Sequence, residues 1–296
     1  MDLIMEAVPN YSEGRDQSKI EKILDSFRGK SGVKLLDFSS DKDHNRSVVT
    51  VTGEPEALRD AVVESIGLAV SLIDMTKHSG QHPRMGSVDV VPFIPVRGCT
   101  MEDADRVAKD TARLAAEKFG QPFFLYEYSA TSELRRDLSE IRRGQFEGMA
   151  EKMTDPLWKP DFGPETIHPT GGVTAIGARP PLIAFNINLD TSRLEVASEI
   201  ARRIRYSGGG LRYCKALGVM LEDRGAAQVS INMTDYSKTS VYSIFEAVKT
   251  EARRYGVGIL GSEVVGLIPM QALVDCAEYY LQLEGFSAGQ VLENRL

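Results

Sequence analysis

Val33-Lys34-Leu35-Leu36-Asp37-Phe38-Ser39 and Ser47-Val48-Val49-Thr50-Val51-Thr52 are two runs rich in apolar and branched residues, joined by the polar Asp41-Lys42-Asp43-His44-Asn45-Arg46. Such runs favour extended backbone, and the polar link between them reads as a hairpin loop. Helical patterns flank the hairpin. Ile20, Ile23, Leu24 and Phe27 share one face of a helix over 17–27, closed by Gly29 and Gly32. Ala57, Leu58, Ala61, Val62, Ile66, Ala69, Val70 and Ile73 keep three-and-four spacing in a helix that opens at Glu54-Pro55 and runs to Met75, with Pro55 suited to the first helical position. A strand over 3–8 precedes these elements and one over 88–95 follows them. The order is therefore strand, helix, strand, strand, helix, strand. Pro92 and Pro95 place the last strand at a sheet edge or a strand end.

Downstream, Thr100 caps a helix over 101–119, with Glu102 and Asp103 in the first turn complementing the dipole, and 122–126 reads as a short strand. The charged 133–151 stretch, broken by Gly144, reads as two short surface helices. Pro156, Pro160, Pro164 and Pro169 make 155–172 irregular, the mark of a functional loop or a linker. From Val173 the pattern starts again: strand 181–188, helix 192–205, strands 217–221 and 228–234, helix 241–255, strand 258–267. Even the ending recurs, since Phe93-Ile94-Pro95 is echoed by Leu267-Ile268-Pro269 before a helix over 270–281. The expected class is α+β, with two ferredoxin-like (βαββαβ) subdomains over 1–178 and 179–296. Each four-stranded antiparallel sheet should carry two helices on one face. Its other face should be apolar and covered by the other half, leaving a ligand groove between the halves.

Composition narrows the function. A net charge of -7 over 296 residues argues against nucleic acid as a partner, because phosphate binding needs surplus Lys and Arg. Cys99, Cys214 and Cys276 are odd in number and in no metal-ligand spacing, which fits a reducing compartment. The N-terminal residues lack a basic region with a cleavable apolar run, and no apolar stretch reaches ~18 residues. The expectation is a cytoplasmic protein without a membrane segment.

The chemistry concentrates in Lys77-His78-Ser79-Gly80-Gln81-His82-Pro83-Arg84-Met85-Gly86-Ser87-Val88-Asp89, which holds two of the four histidines. Pro83 stiffens this loop, its glycines permit tight approach, and it sets an imidazole beside a guanidinium. His82 suits proton transfer near neutral pH, and Arg84 suits an anionic substrate. The alternative is a loop histidine with a structural hydrogen bond. His78 and His82 are four apart, as in helical metal pairs, but Gly80 and Pro83 disfavour a helix and no segment supplies further ligands, so no metal is expected. Arg46 is a second carboxylate clamp candidate, against the ordinary reading of an exposed strand-edge arginine. Gly171-Gly172 and Gly208-Gly209-Gly210 lack P-loop or dinucleotide spacing and read as turns. Arg202, Arg203 and Arg205 read as a solvated helix end.

Seven blocks, in order, carry a resemblance. They are Val8-Pro9-Asn10-Tyr11-Ser12-Glu13-Gly14, Leu72-Ile73-Asp74-Met75, the His78 to Gly86 loop, Pro92-Phe93-Ile94-Pro95-Val96-Arg97-Gly98, Pro160-Asp161-Phe162-Gly163-Pro164, Ile183-Ala184-Phe185-Asn186-Ile187-Asn188-Leu189 and Val265-Gly266-Leu267-Ile268-Pro269. Together they resemble the formiminotransferase family, the glutamate formimidoyltransferases and the matching half of formiminotransferase-cyclodeaminase. The resemblance implies transfer of a formimino group from N-formimino-L-glutamate to tetrahydrofolate, a co-substrate, late in histidine breakdown. It implies His82 as the catalytic acid and base, and folate contacts from Gly163, Pro164, Glu165, Thr166, Ile167, His168, Pro169, Thr170, Gly171 and Gly172. Both substrates carry glutamate carboxylates, which gives Arg46, Arg84 and Arg97 clamp roles. A separate cyclodeaminase would take the product, and a homodimer is the expected assembly. The competing functions are formyl transfer from 5-formyltetrahydrofolate, a non-catalytic folate-binding protein, and a metal-dependent hydrolase on His78, His82 and Asp89.

Overall fold

The computed structural model describes residues 3–80 and 82–295; Gln81, inside the histidine loop, lies outside them. The chain divides into two compact units, Met1–Arg179 and Pro180–Leu296.

In the first unit β1 (Ile4–Ala7) and β2 (Asn10–Tyr11) are one strand interrupted at Val8-Pro9. Helix α1 (Gln17–Leu24) begins where the Asp16 carboxylate accepts the Ser18 amide, and it buries Ile20, Ile23 and Leu24. The hairpin is β3 (Val33–Asp41) against β4 (Arg46–Gly53), and α2 (Pro55–Leu72) follows with proline in its first turn. After β5 (Val88–Arg97), α3 (Met101–Phe119) opens on a Thr100–Asp103 capping box and stops at Gly120, whose φ of 65° closes the last turn. Then come β6 (Phe123–Leu125), α4 (Leu138–Arg142), α5 (Gln145–Lys152) and β7 (Thr174–Ala178).

The sheet has seven strands, ordered β3, β4, the β1/β2 strand, β5, β7, β6. Neighbours are antiparallel from β3 to β5, whereas β7 runs parallel to both β5 and β6. Three expectations are corrected here. Strand β7 was not foreseen, and it extends the four-stranded sheet. Nor is β5 an edge: it lies between β1/β2 and β7. Its prolines are tolerated because Pro92 faces the Val8-Pro9 break, where only its carbonyl is used (Val8 N to O, 3.1 Å), and Pro95 lies beyond Phe93, the last residue paired with β7. Third, across β5, β7 and β6 the second face of this sheet is covered from within the unit. Phe124, Tyr126, Val90 and Ala175 pack against Ile141 of α4, Met149 of α5 and Trp158. The other face buries Val91, Phe93, Phe123 and Ile176 under α2 and α3.

The second unit contains β8 (Ile183–Leu189), α6 (Leu194–Ile204), β9 (Cys214–Leu221), β10 (Ala226–Met233), α7 (Val241–Arg253), β11 (Ile259–Val265) and α8 (Met270–Leu281). Its strands are ordered β11, β8, β10, β9, all antiparallel. Period-two alternation puts Ile183, Phe185, Ile187, Val229 and Ile231 against Val196, Ile200, Ile244 and Val248. The opposite face, expected to be apolar, is mixed: Leu217, Val219, Leu221 and Val265 share it with a polar cluster. Gln228 Nε2 donates to Asn188 Oδ1 (2.8 Å) and Glu263 Oε1 (3.0 Å), and Asn186 Nδ2 donates to the same Glu263 oxygen (3.1 Å). No described helix is long and apolar enough to cross a membrane.

Candidate active site

The connection between α2 and β5 carries the histidines, and three neighbouring segments hold it. Asn45, buried in the β3–β4 turn at φ 50°, accepts the Gly14 amide (2.9 Å) and donates to Ser79 O (3.0 Å). Gly80 passes so close to His44 O that an added Cβ would lie 2.3 Å from it. Ser12 Oγ donates to Gly86 O (2.7 Å), and Ser87 N donates to Gly171 O (2.9 Å).

His82 faces Arg46 at the start of β4, with Nε2 2.6 Å from Nη1. A guanidinium only donates, so Nε2 is the acceptor and the ring proton sits on Nδ1. Burial, then the charges of Arg46 and Arg142, push the His82 pKa from the ordinary 6.5 to about 3. The imidazole is neutral at neutral pH, with its lone pair directed at Arg46. Burial and the Arg142 charge also lower the Arg46 pKa, and no carboxylate pairs with Arg46 among the described residues. His44, whose Nδ1 lies 2.9 Å from Asp41 Oδ2, stands 6.4 Å from the His82 ring centroid.

His78 differs from its neighbour four residues on. Its Nδ1 accepts from Arg84 Nε (3.1 Å) and its Nε2 donates to Asn45 O (3.0 Å), so both ring nitrogens serve the fold. Burial lowers its pKa as well. Arg84 is buried and engaged: Nη1 donates to Gln145 Oε1 (2.9 Å) and Glu147 Oε2 (2.8 Å), and Nη2 to Glu147 Oε1 (2.5 Å). The Arg84 hydrogen bonds hold the Glu147 carboxyl below its usual range. Phe146 N donates to Arg84 O (3.0 Å), and Arg142 of α4 pairs with the buried Asp89. The 133–151 stretch thus forms two short helices, as expected, and their side chains clasp the histidine loop. Sequence reading missed Arg142, Gln145 and Glu147, whose partners are 53 to 63 residues away. Gly144, at φ 92°, was the one local signal that the chain turns sharply there.

The 163–172 segment meets the same loop, but only through its second half. His168 and Gly172 exchange both backbone hydrogen bonds, and His168 Nδ1 accepts the Gly171 amide (2.8 Å). Val173 N donates to Met85 O (3.0 Å), Met75 N to Thr170 O (2.9 Å), and Gly86 bridges to Gly172. Pro164, Glu165 and Thr166 are exposed, with Glu165 paired to Lys159 at 2.8 Å, and Gly163 lies against Gln121 O. Ile167 packs against the cluster of Met85, Val90, Phe124 and Ile141. Arg97 closes the far end of β5, ~30 Å along the strand from the loop. Among the described residues no group of three or more His, Cys, Asp or Glu is arranged to hold a metal ion.

The formiminotransferase domain family matches this chain twice, as its N-terminal subdomain over residues 4–179 and as the second part of the domain over 184–294. The glutamate formimidoyltransferase of Streptococcus pyogenes serotype M1 is 52% identical across all of this chain and 99% of its own length. That of Thermoplasma acidophilum is 43% identical over 99% of this chain and 97% of its own. Formimidoyltransferase-cyclodeaminase of Dictyostelium discoideum is 41% identical over the whole of this chain, which spans 56% of that longer protein.

Proposed function

This chain belongs to the formiminotransferase family, and we propose that it is a folate-dependent enzyme transferring the formimino group of N-formimino-L-glutamate to tetrahydrofolate, with release of L-glutamate. The observation that carries the mechanism is the neutral His82 imidazole, lone pair on Nε2, held by a guanidinium that pairs with no carboxylate among the described residues. An amidinium carbon is already electrophilic. What the reaction asks of the protein is removal of a proton from the attacking folate amine and delivery of one to the departing glutamate amine. His82 does both in turn. A substrate carboxylate drawn to Arg46 withdraws that guanidinium from Nε2 and cancels part of the charge that depresses the imidazole, so the base is released as its substrate arrives. Arg84, with both Nη atoms engaged, fixes His78 and the loop.

His168 to Gly172, fastened to Met85 through Ser87, supports a folate contact beside His82, whereas Gly163 to Thr166 would reach the ligand from the exposed side of the same segment. The strand orders β5, β1/β2, β4, β3 and β11, β8, β10, β9 support a ferredoxin-like core in each unit. Three free cysteines fit a cytoplasmic setting. We expect a homodimer, the commonest closed assembly, working without metal and passing 5-formiminotetrahydrofolate to a separate cyclodeaminase.

The test is direct. The purified protein should convert N-formimino-L-glutamate and tetrahydrofolate without ATP, and His82→Ala should lower turnover by ~10²- to 10⁴-fold in a variant that stays folded. Near-normal turnover in the folded variant removes His82 from the mechanism. Turnover of 5-formyltetrahydrofolate alone moves the assignment to formyl transfer.

A further inference from the structure

The α4–α5 clasp holds a second guanidinium for which the acid–base scheme has no use. Arg142, the last residue of α4, donates from Nη2 to Asp89 Oδ2, and Asp89 Oδ1 accepts the Met85 amide at 3.0 Å. The guanidinium is therefore tied to the loop that presents His82. Its own valences are incompletely met. The Arg142 Nε–H is enclosed and has no hydrogen-bond partner among the described residues, an uncommon condition for a buried donor and one that a ligand oxygen would relieve. Arg46 shares this neighbourhood, since the charge of Arg142 depresses the titration of both Arg46 and His82. Among the described residues Asp89 alone is left to balance two guanidiniums, because Asp41, the other acid near Arg46, is bound by His44. A half-enclosed site with two guanidiniums and one carboxylate calls for one more anion.

We infer that Arg142 binds the α-carboxylate of N-formimino-L-glutamate, beside Arg46, and so determines specificity for the donor. This rests on the formimino transfer proposed above. The choice between substrates follows from their covalent structure. In the donor, the α-carboxylate hangs on the carbon that bears the reacting nitrogen, so it must lie close to whichever imidazole handles that nitrogen's proton. The glutamate of the folate is separated from its reacting nitrogen by the whole p-aminobenzoyl bridge. An arginine anchored to the loop of the imidazole therefore meets the donor first, and its planar fork suits a carboxylate.

The experiment compares N-formimino-L-glutamate with its α-amide at saturating tetrahydrofolate, in the wild type, in Arg142→Lys, and in the paired variant Asp89→Asn/Arg142→Gln. Lysine keeps a cation for Asp89, and the paired variant replaces the ion pair by neutral amides while leaving an oxygen for the Met85 amide. The wild type should prefer the free acid by ~30-fold or more in kcat/KM. Both variants should lose most of that preference through the KM of the donor, with the KM for tetrahydrofolate unchanged. A loss of preference is not what a merely structural defect produces. An undiminished preference in either folded variant overturns the inference. A raised KM for tetrahydrofolate with the donor preference intact overturns it too, by moving the carboxylate to the folate. If the wild type transfers no formimino group, the proposed reaction has failed and not this residue's role. Calorimetric binding of the acid and the amide then still decides whether Arg142 reads the carboxylate.

Discussion

The two units follow one order of strands and helices, yet they differ at the connection into their last shared strand. Between α7 and β11 it occupies 254–258, a short turn through Gly256; between α2 and β5 it occupies 73–87 and holds His78, His82 and Arg84. The first unit then adds β6, β7, α4 and α5 around that longer connection, whereas the described sheet of the second unit stays at four strands, with a Gln228–Asn188–Glu263 cluster on the corresponding face. The histidines thus sit on the longer of two corresponding connections, and side chains of α4 and α5 fasten it. Glycine shows the contrast at single positions. A Cβ on Gly86 would lie 2.2 Å from Val173 O and 2.8 Å from Gly171 O, whereas one on Gly261 in β11 would meet nothing within 4 Å.

That contrast can be broken by substitution. Gly86→Ala should cost about 3 kcal/mol in chemical denaturation and reduce turnover, because backbone on both sides cannot yield. Gly261→Ala should stay within about 0.5 kcal/mol. Equal effects would mean that the first connection is no more tightly held than the surface of the second unit. A smaller effect is expected at the clasp. Glu147→Gln removes the charge of a carboxylate that takes both Nη atoms of Arg84. Glu147 is itself largely exposed, so the loss should be about 1–2 kcal/mol. A fall in turnover at unchanged KM values would show the clasp ordering His82; no change in either quantity would make the clasp dispensable.

Much of this was legible in the chain. Runs of apolar and branched residues located the hairpin, apolar spacing located α1 and α2, the Thr100 cap located α3, the repeated order located α6 and α7, and the density of His, Pro, Arg and Gly singled out the loop. Other features were not. Thr174-Ala175-Ile176-Gly177-Ala178 lacks strand composition because β7 is pressed between β5 and β6, with an added Cβ on Gly177 only 2.3 Å from Tyr126 O; small residues there answer to packing and not to propensity. The charges of Arg142 and Glu147 look solvated in sequence because their partners, Asp89 and Arg84, are remote along the chain. Which charges face one another is a tertiary fact. The same holds for the two imidazoles: four residues apart in one motif, His78 is hydrogen-bonded to Arg84 and Asn45 O, whereas the Nε2 of His82 is turned to Arg46.

That difference gives the most direct measurement, an NMR titration of the ring-labelled histidines in the free protein and with N-formimino-L-glutamate bound. With a folded pKa near 3 against 6.5 when unfolded, His82 adds stability above 6.5 that is lost as the pH falls towards 3. In the free protein its ring should carry the proton on Nδ1 and stay neutral to well below pH 5; on donor binding its pKa should climb as Arg46 turns to the carboxylate. An ordinary titration near 6.5 in the free protein, or one that the donor leaves unmoved, would contradict a base caged by Arg46 and released by its substrate.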